Sequence, residues 1–138
     1  MIAKVLMTLS AGIILTFGSL HLLYTVWGLK LTPRDPVLQV SMTQVSPVIS
    51  KEMTMWQGWI GFNATHSMAL ILFGLIFGFL ALRHDELLFS SPFLLIVGFA
   101  MLAGLLIIAR TYFFSTPFAG VTAALIAYVA AIIASRFA

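Results

Sequence analysis

Four stretches of this chain are apolar for long enough to cross a lipid bilayer, and no other feature limits its fold so strongly. They cover approximately residues 5–29, 56–82, 92–109 and 117–135. A helix needs about 20 apolar residues to cross the hydrocarbon core. Backbone N–H and C=O groups find no water there, so each stretch is expected to be an α-helix. The sequence therefore predicts an all-α protein with four membrane spans.

The composition supports lipid as the main solvent. Hydrophobic residues make up 62% of the 138 residues and charged residues only 8%, whereas soluble domains carry about 25% charged residues. The chain has no cysteine, which excludes disulfides, thiolate metal ligands and cysteine nucleophiles. The basic residues are scattered singly, so the net charge of +3 does not indicate a nucleic-acid partner. Membrane lipids are the predicted partners.

The connections between the spans predict their arrangement. The second and third spans are joined by the short charged segment 83–86, and the third and fourth by 110–116. Short connections make successive helices antiparallel neighbours, which is typical of an up-and-down four-helix bundle. We therefore expect one membrane domain, residues 1–138, built on such a bundle.

The connection between the first two spans, residues 30–55, is longer and more polar. Asp35 followed by Pro36 is typical of a helix N-cap and first helical residue. Pro47 should end that helix, because proline removes a backbone hydrogen bond, and Ser46-Pro47 should open a new helical stretch leading into the second span. The segment thus predicts an interfacial helix or loop between spans one and two.

Charge at the span ends gives a weak prediction of orientation. One side of the membrane would hold Lys4, Arg83 and Arg136, and the other Lys30, Arg34, Lys51 and Arg110. These counts nearly balance under the positive-inside rule. The apolar stretch after Lys4 runs to Leu29, beyond a usual signal-peptide h-region of about 7–15 residues, so we read the first span as an uncleaved signal anchor. Lys4 flanks this span and favours the cytoplasmic side for the N-terminus. The expected topology is a cytoplasmic N-terminus and C-terminus.

Two histidines lie inside the predicted spans. His21 belongs to the first span and His66 to the second. An ionisable side chain within a span is costly, so it is a functional-site hypothesis. At 1.5 Å per residue they lie roughly 12 and 15 Å from the same boundary. Because the spans are antiparallel, both imidazoles are expected in the same layer.

Other polar residues are expected on the same side. Asn63 precedes His66 by one helical turn, so the two side chains can touch. Tyr24, Gln57 and Arg110 fall in the half of the spans that adjoins the long connection. The predicted ligand-binding residues are His21, Tyr24, Gln57, Asn63, His66 and Arg110.

These residues predict noncatalytic binding of an amphipathic ligand, either a lipid or a quinone-like molecule, or of a membrane-protein partner or second copy of the chain. Histidine can donate or accept a hydrogen bond, and Arg110 can hold an anionic head. No cofactor or metal is predicted on this interpretation, and no catalytic residue is assigned. No Ser-His-Asp, HExxH or P-loop pattern favours an enzyme.

Two alternatives remain open from the residues. His21 and His66 are candidate ligands of a haem b, held between facing helices of a bundle as in a redox protein. Alternatively, the polar residues serve only helix contacts, and the protein is a structural accessory subunit.

The segment Trp56 to Ser67, followed by Phe73-Gly74 and later by Tyr112-Phe113-Phe114 before Pro117, resembles an uncharacterised family of small bacterial four-span integral membrane proteins. A looser similarity, in topology, connects the chain to DoxX-like four-helix membrane proteins. The resemblance implies a four-helix protein of the bacterial inner membrane. It implies no catalytic role for any residue.

Overall fold

The computed structural model describes residues 1–137, which form six α-helices and, within that range, no β-strand. The helices are α1 (Ile2–Val26), α2 (Pro36–Gln44), α3 (Met55–Arg83), α4 (Asp85–Ser90), α5 (Pro92–Tyr112) and α6 (Ser115–Ser135). Of these, α1, α3, α5 and α6 are long and apolar enough to cross a bilayer. The predicted all-α fold with four spanning helices is confirmed, and the chain is a multi-pass membrane protein.

The predicted helix start at Asp35 is confirmed in atomic detail. The carboxylate of Asp35 accepts a hydrogen bond of 2.9 Å from the backbone N–H of Val37, and Pro36 is the first helical residue of α2. The start of α5 follows the same rule, since the Ser91 hydroxyl accepts from the N–H of Leu94. Both starts are local, because a short polar side chain satisfies an N–H group that the helix leaves open.

Some boundaries differ from the sequence-based expectations. The first span ends at Val26 and not near residue 29, and residues 47–54 form turns and bends where a helical start at Ser46-Pro47 was expected. The charged turn after the second span leads into the short helix α4, which begins at Asp85. Asp85 and Glu86 lie in its first turn, where negative charge interacts favourably with the helix dipole.

The chain divides into two compact units. The first comprises residues 1–17 and 70–138, and the second comprises residues 18–69. Parts of all four long helices belong to the first unit, together with α4. The second unit holds the C-terminal end of α1, the whole of α2 and the N-terminal half of α3.

The first unit has an apolar core. Its fully buried large side chains include Met7, Ile14, Leu88, Leu102 and Tyr128. The Tyr128 ring packs edge-on against Phe77 with ring centres 5.9 Å apart. Its hydroxyl donates a 3.0 Å hydrogen bond to the backbone oxygen of Leu95. Among residues 1–137, every buried side-chain nitrogen or oxygen atom has a hydrogen-bond partner, as is usual for buried polar groups.

The second unit is built differently. The side chains buried within residues 18–69 are those of Thr25, Asn63 and Ser67, all of them polar, and no hydrophobic side chain of this range is buried. No residue of α2 is buried. The polar side chains at the ends of α1 and α3 are therefore the interior of this unit.

Candidate functional site

The site is centred on a hydrogen bond between α1 and α3. Nε2 of His21 lies 2.9 Å from Oδ1 of Asn63. Nδ2 of Asn63 donates a second hydrogen bond, of 2.8 Å, to the backbone oxygen of Trp59 one turn earlier. An amide oxygen only accepts hydrogen bonds. Nε2 of His21 is therefore the donor to Asn63.

His66 lies directly beside His21. The ring centres are 5.5 Å apart and the ring planes meet at 84°, an edge-to-face arrangement. Both side chains are half-buried, whereas Asn63 is buried. We refer to His21, Asn63 and His66 as the histidine cluster. The sequence predicted the two imidazoles in the same layer and Asn63 within reach of His66, and the structure brings the three residues into one group.

Two hydroxyl groups complete the interior around the cluster. Thr25 donates a 2.7 Å hydrogen bond to the backbone oxygen of His21, and Ser67 donates a 2.8 Å bond to the backbone oxygen of Asn63. Both hydroxyls are thus bonded to a carbonyl of their own helix. Their spacing of one turn from His21 and Asn63 was a signal available in the sequence, although they were not among the predicted site residues.

Tyr24 is covered by a cation that the sequence analysis did not include in the site. The ammonium of Lys30 lies 4.1 Å from the centre of the Tyr24 ring, a cation–π distance. Tyr24 follows His21 by one helical turn, so this positive charge lies beyond the cluster toward the long connection. Lys30 lies after the end of α1, where helical periodicity gives no information about spatial neighbours.

Gln57 has a structural role at the start of α3. Its Oε1 accepts a 2.8 Å hydrogen bond from the backbone N–H of Thr54, and the Thr54 hydroxyl accepts one of 3.2 Å from the backbone N–H of Gln57. This reciprocal pair is a capping box. The Thr-x-x-Gln spacing is readable in the sequence, so the cap could have been predicted from it.

Arg110 belongs to the first unit. It is exposed near the end of α5, and its guanidinium lies 5.5 Å from the centre of the Phe118 ring. In this position the side chain stacks on an aromatic ring of α6. Its predicted role as the group that binds an anionic head stays a prediction.

Haem binding would require an unprotonated ring nitrogen on His21. Haem iron binds a ring nitrogen that carries no proton, and Nε2 of His21 carries the proton of its bond to Asn63. A haem would have to take Nδ1, or displace Asn63. Among residues 1–137, no three or more His, Asp or Glu side chains are grouped as metal ligands.

No protein-family model, curated protein or solved structure matches this chain.

Proposed function

We propose that this membrane protein binds an amphipathic molecule at the histidine cluster without catalysing a reaction on it. The observation that carries the proposal is the interior of residues 18–69, where the buried side chains are polar and one of them, Asn63, is hydrogen-bonded to the first of two neighbouring imidazoles within membrane-spanning helices. Burial of polar groups in an apolar medium is costly unless they are paired. A cluster of this kind within a span is a preferred place for function.

A purely structural role would require only a hydrogen bond between the helices, whereas the cluster contains a second imidazole as well. Interhelical hydrogen bonds in membranes contribute on average about 0.6 kcal/mol. The bond from His21 to Asn63 already connects α1 to α3. The second imidazole, with its ring centre 5.5 Å away, places a further polar ring at the same level. This supports a binding role over helix adhesion alone.

The surroundings of the cluster fit an amphipathic ligand. Phe62 precedes His66 by one helical turn and is 70% exposed, so it offers an apolar contact on the same helical stripe. Lys30, over the ring of Tyr24, offers a positive charge toward the connection side. We therefore propose a ligand with an apolar body and a hydrogen-bonding head, either a lipid or a quinone-like molecule.

We further propose the inner membrane of a bacterium as the location, with both termini in the cytoplasm. The location rests on the resemblance of the Trp56 to Ser67 segment to small bacterial four-span proteins, and the orientation on Lys4. Membrane lipids are the proposed partners, with a membrane protein or a second copy of the chain as further candidates.

Ligand retention measured on single-site variants tests the proposal. The protein in phosphatidylcholine nanodiscs is offered phosphatidylglycerol or a benzoquinol with one isoprenoid unit, and native mass spectrometry measures the bound fraction. We expect His21→Phe and His66→Phe each to weaken binding of at least one probe by about tenfold, which corresponds to ~1.4 kcal/mol. Thr65→Val is the matched control, because Thr65 is exposed on α3 and its hydroxyl donates to the backbone oxygen of Phe62 in its own helix.

Retention equal to that of the wild type in both histidine variants would contradict the proposal. If the same variants lose thermal stability and nothing else, the structural accessory subunit is the better description. A Soret band that appears on haem addition and disappears in either histidine variant would favour the redox alternative.

A further inference from the structure

We infer that the histidine cluster selects ligands whose head donates a hydrogen bond, that is, heads carrying an O–H group, over heads that only accept one. The inference rests on the proposed function and specifies its ligand class. It follows from the hydrogen bonds that fix the tautomer of His21.

The first step is the orientation of the Asn63 amide. Its Nδ2 donates to the backbone oxygen of Trp59 at 2.8 Å. A flipped amide would place Oδ1 against that carbonyl oxygen, and two acceptors would then face each other without a proton between them. The Trp59 carbonyl therefore holds Oδ1 toward His21.

The second step is the tautomer of His21. Because Oδ1 of Asn63 accepts from Nε2, the neutral imidazole carries its hydrogen on Nε2 and a lone pair on Nδ1. Within residues 1–137, the hydrogen bond of the His21 ring runs through Nε2, and Nδ1 has none. The nearby hydroxyl of Thr25 already donates to the backbone oxygen of His21. Nδ1 is thus an acceptor without a hydrogen bond to residues 1–137, on a ring that is half-buried.

The third step is the choice of ligand head. A hydroxyl can donate to Nδ1, whereas a quinone carbonyl meets that lone pair with another lone pair, so no hydrogen bond forms at Nδ1. A net hydrogen bond contributes about 0.5–1.5 kcal/mol, and an unsatisfied buried group costs more. Two sources supply the required O–H: a quinol and a lipid with a hydroxylated head group. Both donate to the same atom.

Two matched pairs of probes isolate the donor. The benzoquinol and its benzoquinone, compared under anaerobic conditions, differ in the hydroxyl hydrogens. Phosphatidylglycerol and phosphatidylmethanol carry the same charge, and only the former has head-group hydroxyls. We expect the wild-type protein in phosphatidylcholine nanodiscs to prefer the donor of at least one pair by about tenfold. The pair that shows the preference identifies the source of the ligand.

Asn63→Leu provides a second readout that a structural role would not produce. Without Oδ1 of Asn63, His21 can place its hydrogen on either nitrogen. The variant should therefore bind donor and acceptor heads within about twofold of each other, mainly because acceptor binding improves. Thr65→Val should keep the wild-type preference. If Asn63→Leu does not fold, the wild-type preference alone still decides the question.

The tautomer itself is measurable without any ligand. The ¹⁵N spectrum of histidine-labelled protein at pH 8, assigned by comparison with His21→Gln, should show a protonated Nε2 and an unprotonated Nδ1 for His21. The opposite tautomer would overturn the inference.

The possible outcomes distinguish failure of this inference from failure of the proposed binding function. Binding that depends on His21 but is equal for donor and acceptor heads overturns the inference and leaves the proposed function intact. Binding that depends on His66 but not on His21 overturns the inference and leaves the proposed function intact. Binding of all four probes that is unchanged in both His21→Phe and His66→Phe overturns both. A preference for benzoquinone or phosphatidylmethanol also overturns the inference.

Discussion

Single residues in the first unit show how little free space its core contains. A Cβ atom added at Gly98 would lie 2.6 Å from Cζ of Phe77 and would also meet the hydroxyl of Tyr128. Gly98 is buried on α5 and precedes Gly104 on the same helix, where an added Cβ would have no heavy atom within 4 Å. The two glycines therefore separate the effect of packing from that of backbone flexibility.

Gly98→Ala should destabilise the protein by about 1–3 kcal/mol, because the aromatic side chains must move off their preferred positions. Gly104→Ala should be neutral or stabilising by up to about 1 kcal/mol, since alanine favours the helix and meets nothing. Thermal unfolding of the two variants in one detergent measures the difference. Equal unfolding temperatures would show that the core at Gly98 adapts without cost.

Tyr128→Phe should destabilise the protein less than Gly98→Ala. The hydroxyl of Tyr128 donates to the backbone oxygen of Leu95, and phenylalanine keeps the ring that packs against Phe77. Interhelical hydrogen bonds in membranes average about 0.6 kcal/mol, so we expect a loss of that size in the same thermal assay. A loss as large as that of a core truncation would mean that the hydroxyl also holds the ring in place.

Periodicity predicted part of the histidine cluster and missed part of it. It placed His21 and His66 in one layer and Asn63 within reach of His66, because the helical repeat is a local property. It did not give the bond from the amide oxygen of Asn63 to His21 on the other helix, and the contact between Asn63 and His66 stays a prediction. It did not give Lys30, because the turn that brings this side chain over Tyr24 lies outside any helix.

At the scale of elements, the start of α3 is fixed by side chains and not by proline. The reciprocal bonds between Thr54 and Gln57 satisfy N–H groups that the first turn leaves open. Helix α2 likewise begins at a side-chain cap, that of Asp35. Helix starts with a side-chain cap can be predicted from the sequence, as the start of α2 at Asp35 was. The second span was predicted from about residue 56, close to the observed start at Met55, but Pro47 was wrongly expected to open a helical stretch before it.

Thr54→Ala should loosen the first turn of α3 and cost about 0.5–2 kcal/mol locally. Gln57→Ala should have a smaller effect in the same direction. Hydrogen exchange of the backbone amides at residues 54–58 should become faster in both variants. In the wild type, the Thr65 hydroxyl donates to the backbone oxygen of Phe62 in the same helix. Thr65→Val should leave the exchange rates of residues 54–58 unchanged.

Gln57→Glu serves as the discriminating variant, because a carboxylate can still accept from the N–H of Thr54. It should keep the wild-type exchange rates. If Gln57→Glu retained the cap but lost phosphatidylglycerol or benzoquinol, then Gln57 would contact the ligand as well as capping α3.

At the scale of the whole molecule, the buried side chains differ in kind between the two units. Those of residues 1–17 and 70–138 are largely apolar, and those of residues 18–69 are polar. Hydropathy predicted the four spans, because the length of an apolar run is visible in sequence. The positions of the polar residues predicted that they lie in the half of the spans adjoining the long connection. Hydropathy did not show which of them are buried, because exposed side chains are also often apolar where lipid is the solvent.

Four spans predict a membrane topology that single cysteines can test, since the natural chain has none. With each long helix crossing once, residues 27–54 and 113–114 lie on one side, and both termini and α4 lie on the other. Ser46, Ser90 and Ser115 are exposed and suit substitution by cysteine. With cytoplasmic termini, a membrane-impermeant maleimide applied to intact cells should label Ser46→Cys and Ser115→Cys but not Ser90→Cys.

Opening the cells should make Ser90→Cys reactive, which controls for its accessibility. The reverse labelling pattern would keep the four spans but place the termini outside. The charge balance allows this reversal, because Lys30, Arg34, Lys51 and Arg110 would then face the cytoplasm, as the positive-inside rule prefers. Labelling of Ser46→Cys without Ser115→Cys in intact cells would instead mean that α5 and α6 do not each cross the membrane. It would contradict the four-span topology itself.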